Sequence, residues 1–112
     1  MNAWVLLGFA ILLEVCATSL LNASRGFSRP LFGVGAILLY WMCFFLLAFA
    51  VTRIPVGVAY AIWSGIGIVG IAAIGFFVFR QPLSLAQMGF MALILIGAIG
   101  LNLVTRAPAA AA

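Results

Sequence analysis

Long apolar stretches and short polar breaks alternate along the chain. Each apolar stretch is close to the ~20 residues that a helix needs to cross a bilayer. The breaks contain glycine, proline or arginine, which are typical of helix ends. We therefore predict an all-α membrane protein with four transmembrane helices, forming a single domain over residues 1–112. The predicted spans are residues 4–21, 31–51, 56–79 and 85–104, followed by a frayed tail at 105–112.

The composition favours a membrane protein and excludes an ordinary soluble domain. Hydrophobic residues make up 69% of the chain and charged residues 5%, too few to cover a soluble surface with polar groups. The five basic residues are all arginines at the ends of apolar stretches, where they meet lipid headgroups rather than nucleic acid. The first stretch is too long for the apolar part of a signal peptide, so we expect it to be retained. The expected location is the inner (plasma) membrane.

Glu14 is the only acidic residue of the chain, and it lies near the middle of the first predicted span. Ten residues at ~1.5 Å each separate it from Trp4, which places it ~15 Å into the membrane. A carboxylate at the centre of a bilayer costs roughly 2.5–3.5 kcal/mol on insertion scales. No arginine within a predicted span offsets this cost. The pattern therefore indicates a binding site for a cation or a proton.

Small residues share the helix face of this carboxylate. Ala10, Ala17 and Thr18 lie three or four positions from Glu14, so they fall on the same stripe of the helix. Small residues in membrane helices commonly serve close helix packing. Beside an isolated acid they also leave space for a ligand, and both interpretations stay open.

Deep aromatic residues suggest which ligand the site takes. Tyr60 and Trp63 lie about five and eight residues inside the third span, too deep for the interfacial belt that Trp4 fits. An aromatic face attracts a cation by roughly 0.5–2 kcal/mol. Together with the carboxylate, these rings favour a lipophilic cation. Tyr40 fits either such a site or helix packing.

The remaining chemistry of the chain points away from catalysis. Cys16 and Cys43 are isolated and there is no histidine, so we expect no metal, cofactor or disulfide. No nucleophile–base pair is present, and we predict that the protein is not an enzyme. Gly65 and Gly67 each weaken the third helix by roughly 1 kcal/mol relative to alanine. They predict a kink or a close helix contact there.

The arginines give only a weak orientation signal. With a cytoplasmic N-terminus, Arg53 and Arg106 lie inside, whereas Arg25, Arg29 and Arg80 lie outside. Arginine bias in short loops normally fixes the topology, and here one charge separates the two sides. Transporters often combine inverted halves around a midplane site, but this chain has no internal repeat. The pattern therefore favours insertion in both orientations and an antiparallel homodimer.

Two segments of the sequence, together with Tyr40 and Asn102, resemble a known family. The first is Ile54–Gly67, IPVGVAYAIWSGIG, and the second is the Ala10, Glu14, Ala17, Thr18 pattern of the first span. Both resemble the small multidrug resistance transporters, specifically their quaternary-ammonium exporters. The resemblance covers the chain from Trp4 to Arg106.

The resemblance implies a proton-coupled antiporter and antiparallel dimer that exports lipophilic quaternary-ammonium and polyaromatic cations. By that analogy Glu14 binds proton or substrate in mutual exclusion, and the fourth helix is the main dimer contact, with Gly97 at a packing position. The implied surroundings of the carboxylate are Tyr40, Tyr60, Trp63, Ser64, Ala10, Ala17, Thr18 and, near the entrance, Trp4.

The chain also departs from the family pattern. Asn22 replaces a common lysine, Phe90 stands at a common glycine position beside Gly89, and Cys43 replaces a small hydroxyl residue. Arg80 also differs from the usual third loop. These departures bear on substrate range and on self-pairing more than on mechanism. The alternatives left open are a guanidinium-type metabolite exporter, one subunit of a heteromeric pair, a lipid-carrier flippase subunit and a passive membrane scaffold.

Overall fold

The computed structural model describes residues 2–111, and the side chains of residues 2–105. Over this part of the chain all regular structure is helical, which confirms the predicted all-α class. Every helix is long and apolar enough to cross a membrane, the last of them over Leu85–Thr105. The four helices are α1 at Ala3–Ala23, α2 at Pro30–Ala50, α3 at Val56–Phe77 and α4 at Leu85–Ala111.

Local hydrogen bonds explain where the helices begin. The side chain of Asn2 caps α1 by accepting a hydrogen bond of 2.8 Å from the backbone N–H of Trp4. Pro30 begins α2, where its missing N–H costs nothing. Ser84 and Gln87 form a reciprocal capping box before α4, with bonds of 2.8 and 3.1 Å. Of the predicted tail, residues 106–112 lie outside the described side chains.

The helices fall into two compact units, Met1–Ile54 and Pro55–Ala112. The first unit is the hairpin of α1 and α2, and the second is the hairpin of α3 and α4. The prediction of a single domain is not tested by this division and stays a prediction.

The turn between α1 and α2 has an unusual backbone. Arg25, Gly26 and Phe27 have φ angles of 49°, 67° and 64°, a region in which a non-glycine residue is strained by about 1–2 kcal/mol. The buried hydroxyl of Ser24 stabilises this turn, because it donates to Leu21 O at 2.6 Å and accepts from Phe27 N at 3.2 Å. The side chain of Ser24 therefore links the end of α1 to the turn that follows it.

The second unit brings its two helices close together at a glycine. A Cβ atom on Gly65 of α3 would lie 2.7 Å from the Cβ of Ala98 on α4, so only glycine fits without a shift. The helix α3 continues through Gly65 and Gly67 without interruption. It ends at Phe77, two residues before the predicted end of the span. A bond of 2.9 Å from Gln81 N to the carbonyl of Gly75 closes the helix there.

Small residues make up most of the buried positions, and most of the large apolar residues face outward. Exposed side chains include Leu31, Trp41 and Leu85, each more than 70% exposed. This distribution is the inverse of a soluble protein, and it suits lipid, where small residues allow helices to approach closely. Among the described residues, those with 0% exposure are all small: Ala10, Ala17, Ser24, Ala36, Cys43, Ala50 and Ala59.

Candidate cation-binding site

Glu14 lies close to the midpoint of α1, half-buried in the first hairpin. Its two carboxylate oxygens have different surroundings. Oε1 accepts a hydrogen bond of 3.1 Å from the hydroxyl of Thr18, one helical turn further along α1. Oε2 is buried and has no hydrogen-bond partner among the described residues. A buried polar atom without a partner is uncommon and costly, which makes Oε2 the natural position for a proton or a cation.

A second helix contributes to the same hydrogen-bonded group. The phenolic oxygen of Tyr40 on α2 lies 2.5 Å from Oγ1 of Thr18. Thr18 has one hydroxyl proton and donates it to Glu14, so its oxygen accepts from Tyr40. The three side chains form a directed chain from Tyr40 through Thr18 to Glu14.

Cys43 lies on the same face of α2, three residues after Tyr40. Its side chain is fully buried, and it is close enough to Glu14 to interact with it electrostatically. The face of α2 that carries Tyr40 and Cys43 is therefore the one that the carboxylate meets in this hairpin.

The other predicted residues of α1 have simpler surroundings. Ala10 and Ala17 are both completely buried, so each lies in the packed interior on the stripe that carries Glu14. Trp4 lies at the start of the helix, where its backbone N–H is bound to Asn2. It is partly exposed and lies ten residues before Glu14 in the sequence.

The predicted residues of α3 belong to the second unit. Tyr60, Trp63 and Ser64 occupy positions i, i+3 and i+4 and so share one helix face. Tyr60 is 70% exposed, whereas Trp63 and Ser64 are half-buried. Gly67 continues this face one turn further and is buried. The role of these residues in a binding site stays a prediction.

The hydrogen bond between Thr18 and Tyr40 was missed by sequence reasoning, although both residues were predicted as site residues. A signal was present. Lipid cannot hydrogen-bond a hydroxyl, so two hydroxyl groups on adjacent predicted spans each need a partner within the protein. No group of three or more potential metal ligands occurs among the described residues.

The fold and this site define a small multi-pass membrane protein with one carboxylate held inside its first helical hairpin. Residues 2–94 match the model of a protein family described as "Small Multidrug Resistance protein". The chain is a member of the small multidrug resistance family, and so a multi-pass protein of the inner membrane.

Relatives from this family match the chain over nearly its whole length. It is 45% identical to the multidrug transporter EmrE of Escherichia coli K12, over 95% of this chain and 96% of that protein. It is 41% identical to the quaternary ammonium compound-resistance protein QacE of Escherichia coli, over 97% and 99%. It is 43% identical to a guanidinium exporter of Yersinia pseudotuberculosis, over 90% and 97%. These names describe transporters and exporters, which points to an efflux transporter and away from an enzyme.

Proposed function

We propose that the protein is a proton-coupled antiporter that exports lipophilic quaternary-ammonium and polyaromatic cations. The observation that carries the proposal is the buried, unpartnered Oε2 of Glu14 in the middle of a membrane-spanning helix. Because Glu14 is the only acid in the chain, a proton and an organic cation compete for one carboxylate. Entry of a proton from one side then releases the cation, and loss of the proton allows the next cation to bind.

The residues of α3 support the choice of an aromatic or lipophilic cation. The ring of Tyr60 is largely exposed, and Trp63 lies one turn away on the same face. Each ring stabilises a nearby cation by roughly 0.5–2 kcal/mol and also covers flat apolar surface. We assign the contact with the organic part of the substrate to these two rings, and a hydrogen-bonding role to Ser64.

The transporter is proposed to work as an antiparallel homodimer. The near balance of arginines between the two sides allows both orientations, and an inverted second copy supplies the missing inverted repeat. Gly89 and Gly97 on α4 have open space where a side chain would be, which suits close approach of another helix. Pairing with a different family member is the alternative.

Guanidinium export is the second candidate function. It is favoured by the 43% identity to the Yersinia guanidinium exporter. Guanidinium is small and planar, and it binds a carboxylate through paired hydrogen bonds. It gains less than a large aromatic cation from the rings of Tyr60 and Trp63.

The test is binding of tetraphenylphosphonium to the purified protein between pH 5 and 9. We expect tight binding at high pH, loss of binding at low pH, and no pH-dependent binding by Glu14→Gln, whose amide does not titrate. Glu14→Asp retains an acid and should keep a pH-dependent profile.

Competition separates the two candidate functions. Displacement of tetraphenylphosphonium by micromolar quaternary ammonium but only by far higher guanidinium concentrations would support the first. The reverse order would support guanidinium export. Absence of binding of either cation at any pH would favour a passive scaffold.

A further inference from the structure

The two oxygens of Glu14 are held differently, and the difference comes from the direction of the hydrogen bonds. Tyr40 donates to Thr18, and Thr18 donates to Oε1. Both hydroxyl protons therefore point toward the carboxylate, while Oε2 receives none. We propose that Thr18 and Tyr40 are positioning residues that reserve Oε2 of Glu14 for the exchanged proton or cation. This inference rests on the proposed function of Glu14 as the exchange site.

The direction of the chain explains why the proton goes to Oε2. A proton on Oε2 leaves Oε1 as a carbonyl oxygen, which still accepts from Thr18, so no hydrogen bond is lost. A proton on Oε1 would turn the acceptor of Thr18 into an acid hydroxyl oxygen, which is a weaker acceptor than a carbonyl oxygen and already uses one of its lone pairs. Protonation at Oε2 is therefore the arrangement that keeps the bonds of the chain at their full strength.

The same arrangement makes proton and cation mutually exclusive at a single atom. Oε1 accepts from the Thr18 hydroxyl in both states, so Oε2 is the oxygen that keeps all its acceptor capacity for a proton or a cation. The side chain of Thr18 also fixes the rotation of the carboxylate, since one oxygen is tethered to the following turn of α1. Thr18 thus controls which oxygen exchanges its ligand and how strongly the charged form is stabilised.

The groups of the hairpin that face the carboxylate are few. On α1 the hydroxyl of Thr18 contacts it directly, and on α2 the neighbouring titratable groups are Tyr40 and Cys43. Cys43 is the neighbouring titratable group that takes no part in the hydrogen-bonded chain. Each variant is therefore measured in the parent and in a Cys43→Ala background.

The experiment measures the pH midpoint of tetraphenylphosphonium binding. Thr18→Val keeps the shape of the side chain but removes the donor to the carboxylate, so the charged form is less stable and holds a proton more tightly. We expect the midpoint to move to higher pH by about one unit, which corresponds to about tenfold in proton affinity. Thr18→Ser restores the hydroxyl and should restore the parent midpoint.

A matched control lies beside Thr18 on the same helix. The hydroxyl of Ser19 donates to the carbonyl of Val15 at 2.8 Å and does not contact Glu14. Ser19→Ala removes a membrane hydroxyl with a similar effect on folding, so its midpoint should equal that of the parent. An equal midpoint in Thr18→Val would overturn the proposal, whereas pH-independent binding by the parent would overturn the function of Glu14 itself.

Tyr40 provides a second test, because it acts on Glu14 through Thr18. Tyr40→Phe should shift the midpoint in the same direction but by less, since Thr18 still donates to Oε1. In the Thr18→Val background the same change should leave the midpoint unaltered. An equal shift from Tyr40→Phe in both backgrounds would show that Tyr40 acts on the carboxylate directly, and it would contradict the relay.

Discussion

The hydroxyl of Thr18 donates a hydrogen bond of 3.1 Å to Oε1 of Glu14, one helical turn before it on α1. This bond divides a symmetric carboxylate into one occupied oxygen and one open oxygen. In water such a difference has little effect, because solvent satisfies both oxygens. Inside a membrane helix hairpin no solvent makes up for the missing partner of Oε2, so the two oxygens stay different.

Removal of the Glu14 carboxylate should abolish transport without lowering the stability of the fold. Glu14→Gln removes a costly charge from the membrane, so we expect equal or higher stability and no proton-driven export. The measurement is uptake of a cation into proteoliposomes under an imposed pH gradient, together with thermal unfolding of the same preparation. Glu14→Asp serves as the titratable control. Undiminished proton-driven transport by Glu14→Gln would contradict the assignment.

The indole of Trp63 should act through its aromatic face. Trp63→Leu keeps an apolar side chain but loses the cation–π attraction, so we expect roughly 2- to 30-fold weaker binding of tetraphenylphosphonium. Trp63→Phe should lose less. Isothermal titration calorimetry at high pH gives the affinities directly.

Trp41 on α2 is the matched control for that measurement. It is 76% exposed, and it lies on a helix face that we expect to contact lipid. Trp41→Leu should leave the affinity unchanged. Equal effects of the two substitutions would mean that Trp63 contributes only to packing.

Two glycines of the second hairpin should respond in opposite ways to alanine. Gly65→Ala places a Cβ 2.7 Å from that of Ala98, and overpacking of this kind costs roughly 1–3 kcal/mol. Gly97→Ala meets nothing within 4 Å and gains roughly 1 kcal/mol of helix propensity. We expect lower thermal stability of the first variant only.

Further variants test the helix contacts made at Gly65 and at Gly97. Ala98→Gly should rescue Gly65→Ala, since it removes the atom that the new Cβ meets. Gly97→Leu should reduce dimer content if this part of α4 contacts a second copy, while leaving the monomer fold intact. A fully active and dimeric Gly97→Leu variant would argue against that contact.

The orientation of the protein in the membrane should change when only one or two arginines are replaced. Arg29→Ser combined with Arg80→Ser leaves Arg25 alone on its side, so we expect the N-terminus to be predominantly cytoplasmic. This variant should lose activity when expressed alone and regain it with an oppositely biased partner. Cysteine-accessibility labelling of the loops reports the orientation.

A charge-neutral pair controls for the effect of substitution itself. Arg29→Ser with Ser84→Lys leaves the number of basic residues on each side unchanged, so its distribution of orientations should match the parent. A parent protein found in a single orientation, yet fully active by itself, would refute the antiparallel homodimer.

Much of the fold was predictable because the membrane imposes it. The bilayer requires spans of ~20 apolar residues, and the polar breaks between them must lie at the membrane surfaces. The end of α3 was less predictable. It falls at Phe77 rather than Phe79, since Arg80 adopts a φ of 55° and Gln81 N turns back to the carbonyl of Gly75.

The internal geometry of the candidate site was only partly predictable. Glu14 is conspicuous as the one acid of an apolar chain, and its stripe on α1 follows from helix periodicity. Its link to Tyr40 depends on the rotation of α2 against α1. That rotation has no polar–apolar contrast to reveal it, because nearly every face of α2 is apolar, and small buried residues such as Ala36 and Cys43 define the contact instead.

The turn held by Ser24 also has a consequence for membrane insertion. The six residues from Ser24 to Arg29 can stretch over at most about 21 Å, less than the ~30 Å of the hydrocarbon core. One helix of the hairpin therefore cannot reverse its direction while the other stays in place. α1 and α2 must enter the bilayer as a pair, and Arg25 and Arg29 remain together on one side. The side of the membrane on which Arg25 and Arg29 lie is therefore set for α1 and α2 together, and neither helix can adopt an orientation independently of the other.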